Sequence, residues 1–177
     1  EYNKENNTDY NELDFNVPYR SNNNSGEPQF NKSIDRIKNG LKKIHLKGNF
    51  NHPVNKLPES LESLELELLH FEYNLNSLPK GLRTLSFNGI NIRSDNLPNK
   101  LAFLDVGFNF SCNIDILPGT ITFLHLRREF NKHVGNLPNR LNAVVFGKKF
   151  NKKIDNIPNS TNRIMFHDDV IPNIQFN

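Results

Sequence analysis

Histidine and carboxylate are the side chains here best suited to chemistry, and their spacing limits what they can do. The six histidines are His45, His52, His70, His125, His133 and His167. None lies four residues from another and no H-x-H pair occurs, so the spacing that places two imidazoles on one zinc ion is missing. Asp105 and His125 could form an acid–base pair, but no nucleophile motif accompanies them. The chain has no G-x-S-x-G elbow, no P-loop and no G-x-G-x-x-G turn. Its single cysteine, Cys112, excludes an internal disulfide framework or a multi-cysteine metal site, and reads as a packing residue. The residues therefore predict no catalytic, cofactor-binding or metal site, and a protein that is not an enzyme.

The elements that must position these residues come from a repeat. Leu-Pro or Ile-Pro occurs at Leu57-Pro58, Leu78-Pro79, Leu97-Pro98, Leu117-Pro118, Leu137-Pro138 and Ile157-Pro158, at intervals of 21, 19, 20, 20 and 20 residues. Phe-Asn recurs in phase at Phe30, Phe50, Phe130 and Phe150, with Phe110-Ser111 and Ile90-Asn91 as variants. An aliphatic column follows four residues after the aromatic one: Ile34, Val54, Leu75, Ile114, Val134 and Ile154, with Ser94 the exception. Each unit opens on an L-x-x-L-x-[LF] segment with the alternation of a strand. The strands are expected at Leu41–Leu46, Leu61–Leu66, Leu82–Phe87, Leu101–Val106, Ile121–Leu126 and Leu141–Phe146, with a degenerate one at Thr161–Phe166.

One strand per turn of about 20 residues is the leucine-rich-repeat geometry at its shortest. So short a turn leaves no room for a long helix on the return arm, and a proline in each arm favours extended or tightly turned backbone. The fold class is a leucine-rich-repeat solenoid with a short parallel β-strand per turn and little helix. It spans residues 30–177 as about six turns plus a partial C-terminal turn. The turn carrying Ile90 and Ser94 is expected to pack least well.

Composition fits this reading once the period is known. Of 177 residues 36% are hydrophobic and 31 are asparagine, which without the repeat would suggest disorder. A solenoid concentrates its apolar residues in a few columns along one narrow core, and part of the asparagine falls on repeating positions. Asn51, Asn91, Asn131 and Asn151 are expected to form a ladder whose amides bond the backbone of neighbouring turns. Phe50, Phe71, Phe110, Phe130 and Phe150 are expected to stack as a spine. The net charge of +3 is spread among nearly equal numbers of acids and bases with no basic block, which argues against nucleic acid as a partner. No apolar run is long enough to cross a membrane. The five N-x-S/T sequons are close to the number this composition gives by accident and do not indicate secretion.

Residues 1–29 lie outside the repeat. They read either as a linker or, through the alternation of Leu13, Phe15, Val17 and Tyr19, as a cap strand over the first turn. The chain opens on Glu1 rather than Met, which points to a removed upstream segment.

The phrase F-G-K-K-F-N at Phe146–Asn151, followed by Ile154-Asp155-Asn156-Ile157-Pro158, resembles the FNIP repeat family. Val106-Gly107-Phe108-Asn109-Phe110 comes close to it, and the turns at Leu61 and Leu82 lack the glycine. FNIP repeats are leucine-rich-repeat variants of social amoebae and of giant viruses that infect amoebae. Some viral members join the array to an N-terminal F-box, so the resemblance implies the substrate-recognition part of a ubiquitin ligase adaptor, in the cytoplasm or the host cytoplasm. No F-box-like helical segment lies within residues 1–29, so that role needs sequence beyond them. The alternative is a structural, self-associating repeat protein of a virion or cell surface.

Within either reading, the informative surface is the concave face of the sheet. Alternation places Phe103, Asp105, Phe123, His125, Arg127, Val145 and Met165 on that face. Phe103 and Phe123 are expected to be cross-strand neighbours, extended by Ala143, Val145 and Met165, with Asp105, His125 and Arg127 as a polar rim. Such a patch suits another protein, or a second copy of this chain in a homodimer.

Overall fold

The computed structural model describes the backbone of residues 12–15 and, in full, residues 31–68, 71–75, 77–88, 96–107 and 113–166. The strands in chain order are β1 (Glu12–Phe15), β2 (Lys43–Gly48), β3 (Ser63–Leu68), β4 (Thr84–Phe87), β5 (Phe103–Val106), β6 (Phe123–Leu126), β7 (Val134–Asn136), β8 (Ala143–Phe146), β9 (Ile154–Asn156) and β10 (Arg163–Met165). One eight-stranded parallel sheet runs β1-β2-β3-β4-β5-β6-β8-β10, and β7 and β9 form a second, two-stranded parallel sheet on the return arms. The helical element complete among the described residues is a single 3-10 turn, Ile114–Ile116, and Asn96 also takes 3-10 geometry. The chain is a leucine-rich-repeat solenoid.

Register follows the period of the sequence. Ile44 pairs with Leu64, Leu64 with Leu85, Leu85 with Leu104, Leu104 with Leu124 and Leu124 with Val144, so each column of the repeat becomes a ladder. Ile164 extends the same ladder onto β10. At the other end β1 pairs with β2, Leu13 opposite Ile44.

The strands begin two residues later than the leucine pattern suggests, and the proline explains why. Leu61 N–H donates to the Pro58 carbonyl, and the same bond recurs at Leu82 to Pro79, Leu101 to Pro98, Ile121 to Pro118, Leu141 to Pro138 and Thr161 to Pro158. Each L-P-x-x-L segment is thus a hydrogen-bonded turn that delivers the chain into its strand. Proline lacks an N–H, but this turn uses only its carbonyl. The leucine closing the turn still points inward, and Leu41, Leu61, Leu82, Leu101, Ile121 and Leu141 are all buried.

The core is one continuous cluster between the large sheet and the return arms. Strand residues fill one wall; Phe50, Phe71 and Phe130, then Val54, Leu75, Ile114 and Val134, then Leu57, Leu97, Leu117 and Leu137 fill the other. Each fully buried aliphatic or aromatic side chain contributes about 1.5–3 kcal/mol. Stacking shares that burial between turns, which is why such units occur in series. The turn at Ile90 and Ser94 lies outside the described residues.

The aromatic spine is continuous toward the C-terminal end. Phe130 and Phe150 stack with centroids 6.0 Å apart, and Phe146 lies 4.1 Å from Phe150. Phe71 meets Tyr73 edge to face at 5.8 Å. Phe50, Phe71 and Phe130 are buried, Phe150 is half-buried, and Phe110 lies outside the described residues.

The asparagines form backbone bridges at the surface, not inside the turn. Asn31 Oδ1 accepts from Asn51 N–H at 3.0 Å, Asn51 Oδ1 from Glu72 N–H at 3.3 Å, and Asn131 Oδ1 from Asn151 N–H at 3.0 Å. The acceptor Asn31 was not singled out, although Phe30-Asn31 is in phase with the repeat. Asn51 and Asn131 are half-exposed and Asn31 and Asn151 exposed; Asn91 lies outside the described residues. Because water can replace a bond at this depth, Asn131→Ala should cost only about 1 kcal/mol in a urea melt. A loss of several kcal/mol would show that the amide is more deeply engaged.

Candidate functional site: the concave sheet face

Strands β2 to β6, β8 and β10 of the large sheet are core-facing at alternate residues, so the remainder face the concave side. The sequence-derived columns are the observed ladders. Lys43, Ser63, Thr84, Phe103, Phe123, Ala143 and Arg163 form one row, and His45, Glu65, Ser86, Asp105, His125, Val145 and Met165 the next. The face divides into three zones.

Its N-terminal zone is charged. Lys43 lies 3.7 Å from Glu65, Lys47 3.5 Å from Glu67, and His45 Nε2 3.3 Å from Glu67 Oε1. β2 presents Lys43, His45 and Lys47 here and β3 presents Glu65 and Glu67, so basic side chains face acidic ones across the two strands and favour this register.

The central zone is a buried polar network. Asp105 on β5 receives Arg127 Nε at 2.9 Å on Oδ1 and Arg127 Nη2 at 2.5 Å on Oδ2. Ser86 Oγ donates to Oδ2 at 2.9 Å. Two parallel N–H donors on one carboxylate make this the strong, oriented form of an ion pair. His125 Nδ1 stands 3.1 Å from Asp105 Oδ1, near enough for electrostatic attraction, yet neither ring nitrogen is in hydrogen-bonding geometry with a partner. Asp105 and His125 are 2% and 3% exposed. Burial alone would raise the Asp105 carboxyl pKa. The contacts from His125 and the Arg127 guanidinium outweigh it and hold that pKa at about 2.

The C-terminal zone is apolar. Phe103 and Phe123 stack face to face with centroids 4.8 Å apart and planes 4° from parallel. Phe123, Ala143 and Val145 form a buried cluster with Phe103 and Met165 packed against it, separate from the core on the opposite side of the sheet. The sequence suggested an open patch. The centre is instead buried, Phe123 at 2% and Val145 at 1% exposure, while Phe103 and Met165 are half-buried and Arg163 is exposed. Periodicity reveals which face a residue takes but not how deep it lies there.

The seven expected residues thus sit together on one face. Asp105 and Arg127 are not a loose rim, however, but a bidentate pair beside the aromatic stack. Sequence reasoning missed Ser86, although its column position beside Asp105 placed it within reach. It also missed Asp115 on the return arm, whose Oδ1 accepts from Gly135 N–H at 3.0 Å and Asn136 N–H at 2.7 Å and so ties the 3-10 turn to β7. Among the described residues no cluster of three or more His, Cys, Asp or Glu could hold a metal ion, and no helix is long and apolar enough to cross a membrane.

Residues 133–169 match the family model of the FNIP repeat. This segment contains the F-G-K-K-F-N string. A solved structure, the giant-virus protein CroV588, described as a novel circular LRR protein, is similar at 27% identity with a TM-score of 0.53. The similarity covers 74% of this chain and 24% of CroV588, so the chain spans about a quarter of that protein's length. No curated protein matches the sequence.

Proposed function

We propose that this FNIP-repeat solenoid is a non-enzymatic protein-recognition module that engages another protein through the C-terminal half of its concave sheet. The observation that carries the reading is the second apolar cluster. A solenoid needs one hydrophobic core, and this chain builds that core between the sheet and the return arms. The stacked Phe103–Phe123 pair and Met165 lie on the other side of the sheet, where folding of the repeat does not require them. Aromatic anchors beside an oriented charge pair are the composition from which binding hot spots are built. Both oxygens of the Asp105 carboxylate are engaged by Arg127, and Ser86 adds a third donor, an arrangement that suits a structural role.

The family supports an interaction role, and in some viral members the array carries an F-box. Recruitment of a substrate to a ubiquitin ligase in the cytoplasm is the finer form of this proposal. It requires an F-box in the same polypeptide. Pull-down of the intact chain and of Phe103→Asp, with melting temperatures measured in parallel, tests the surface. Loss of partner at unchanged stability is the expected result. Full recovery by a folded Phe103→Asp variant would refute the surface assignment.

A further inference from the structure

Positive charge is dispersed along the sequence, and the stacking of turns gathers part of it. The bends after β6 and β8, residues 128–133 and 148–153, carry Arg128, Lys132, Lys148, Lys149, Lys152 and Lys153, all exposed. The residues in the same phase after β2 and β3, 48–53 and 69–74, include no lysine or arginine. The two basic bends lie side by side, because Leu126 pairs with Phe146 before them and Val134 with Ile154 after them. Arg128 thus shares a column with Lys148, and Lys132 with Lys152, on backbones about 4.8 Å apart. Like charges set opposite each other cost stability. The first turns show the opposite choice, with Lys42 meeting Glu62 at 2.6 Å and Lys47 meeting Glu67 at 3.5 Å across the same spacing. On and beside the basic bends six cations face two acids, Glu129 and Asp155, an excess of four in a chain whose net charge is +3. Asp168 and Asp169, one period after Lys148 and Lys149 in the sequence, still leave an excess of two. The repeat does not need this surplus to fold.

We propose, building on the recognition reading above, that the two bends are a docking strip for an acidic segment of the partner protein. Its carboxylates would settle between the cations of adjacent turns. The chain's own acids show that geometry. Glu129 accepts from Lys149 of the next turn and lies 3.9 Å from Arg128. Asp155 stands 2.9 Å from His133 of the previous turn and 3.6 Å from Lys153. At each place one carboxylate bridges two cations. The strip also continues the recognition face. Lys148 is three residues beyond Val145, about 10 Å at strand rise, and Gly147 between them puts no side chain in the way. A protein seated on Phe103 and Met165 can therefore extend onto the bends. Nucleic acid fits less well, because single strands are held by aromatic side chains exposed among the cations. Here Phe130 and Phe150 pack into the core instead.

Fluorescence anisotropy of the intact chain with a labelled oligoglutamate, and with an oligothymidylate of equal charge, tests the strip. Oligoglutamate should bind, and more weakly as salt rises from about 50 to about 200 mM. Arg128→Glu combined with Lys152→Glu should weaken binding about tenfold or more. That variant should keep its melting temperature, since each new glutamate stands opposite a lysine of the neighbouring turn. Phe103→Asp should leave oligoglutamate binding unchanged, which separates the strip from the aromatic surface. In the pull-down, the folded double variant should recover less partner than the intact chain. Partner kept by Phe103→Asp but lost by the double variant would sink the aromatic surface and leave the strip standing. Full recovery by the double variant would overturn the inference. So would absent oligoglutamate binding, equal binding by the double variant, or tighter binding of oligothymidylate.

Discussion

Replacing Gly147 with alanine should destabilise the protein by about 3 kcal/mol or more, whereas the same change at Gly119 should be neutral or mildly stabilising. Gly147 is the glycine of the F-G-x-x-F-N string. A methyl group built there would lie 2.4 Å from Arg128 N and Cα of the preceding turn. These are backbone atoms, tied into the array by bonds such as Gly147 N–H to the Leu126 carbonyl at 2.8 Å, so no flexible side chain can move aside. Gly107 meets the same constraint, with Asn88 Cα 2.3 Å from the added carbon. Gly119 has nothing within 4 Å of that carbon, and alanine there only reduces the freedom of the unfolded chain, a gain of about 0.4–1 kcal/mol. The glycine of the motif is thus required for close approach between turns. Urea melts of the two single variants check this, and equal midpoints would show that the bend can relax.

Removal of the Asp105 carboxylate should be nearly as damaging. Asp105→Ala leaves the Arg127 guanidinium without its bidentate acceptor and should cost about 3–5 kcal/mol. The same pair predicts the acid response. Because the folded carboxyl is held at about 2, below its ordinary value of 3.8, its contribution is fully present above the ordinary value and is lost as pH falls toward 2. The amount at stake is about 2 kcal/mol. Stability measured between pH 5 and pH 2, at about one-unit steps, should fall more steeply in the wild type than in Asp105→Asn, whose amide does not titrate. Parallel slopes would assign acid sensitivity to other carboxylates.

Much of this architecture was legible because the repeat is short and its columns are chemically distinct. The ladder from Ile44 through Leu64, Leu85, Leu104, Leu124 and Val144 follows from the period alone, as does the meeting of Phe103 with Phe123. The strand starts were misplaced because the first leucine of each unit belongs to the proline turn, and burial looks the same in a turn and a strand. Strands β7 and β9 escaped notice because Val134-Gly135-Asn136 and Ile154-Asp155-Asn156 are too short for alternation to register. The Asp105–Arg127 pair was half visible. The columns placed the two residues diagonally across neighbouring strands, but periodicity could not reveal that the guanidinium turns back to clasp the carboxylate.

The central claim is that the aromatic half of the concave face recognises a partner protein. Photo-cross-linking tests it most directly, with a photoreactive residue replacing Thr84 or Met165 on the concave face and, for comparison, Ile116 on the return arm. These sites lie outside the core, and Ile116 is exposed. A discrete adduct with a second protein is expected from Thr84 and Met165, competed by unlabelled chain and absent from Ile116. Adducts formed at Ile116 but not at the two concave positions would contradict it.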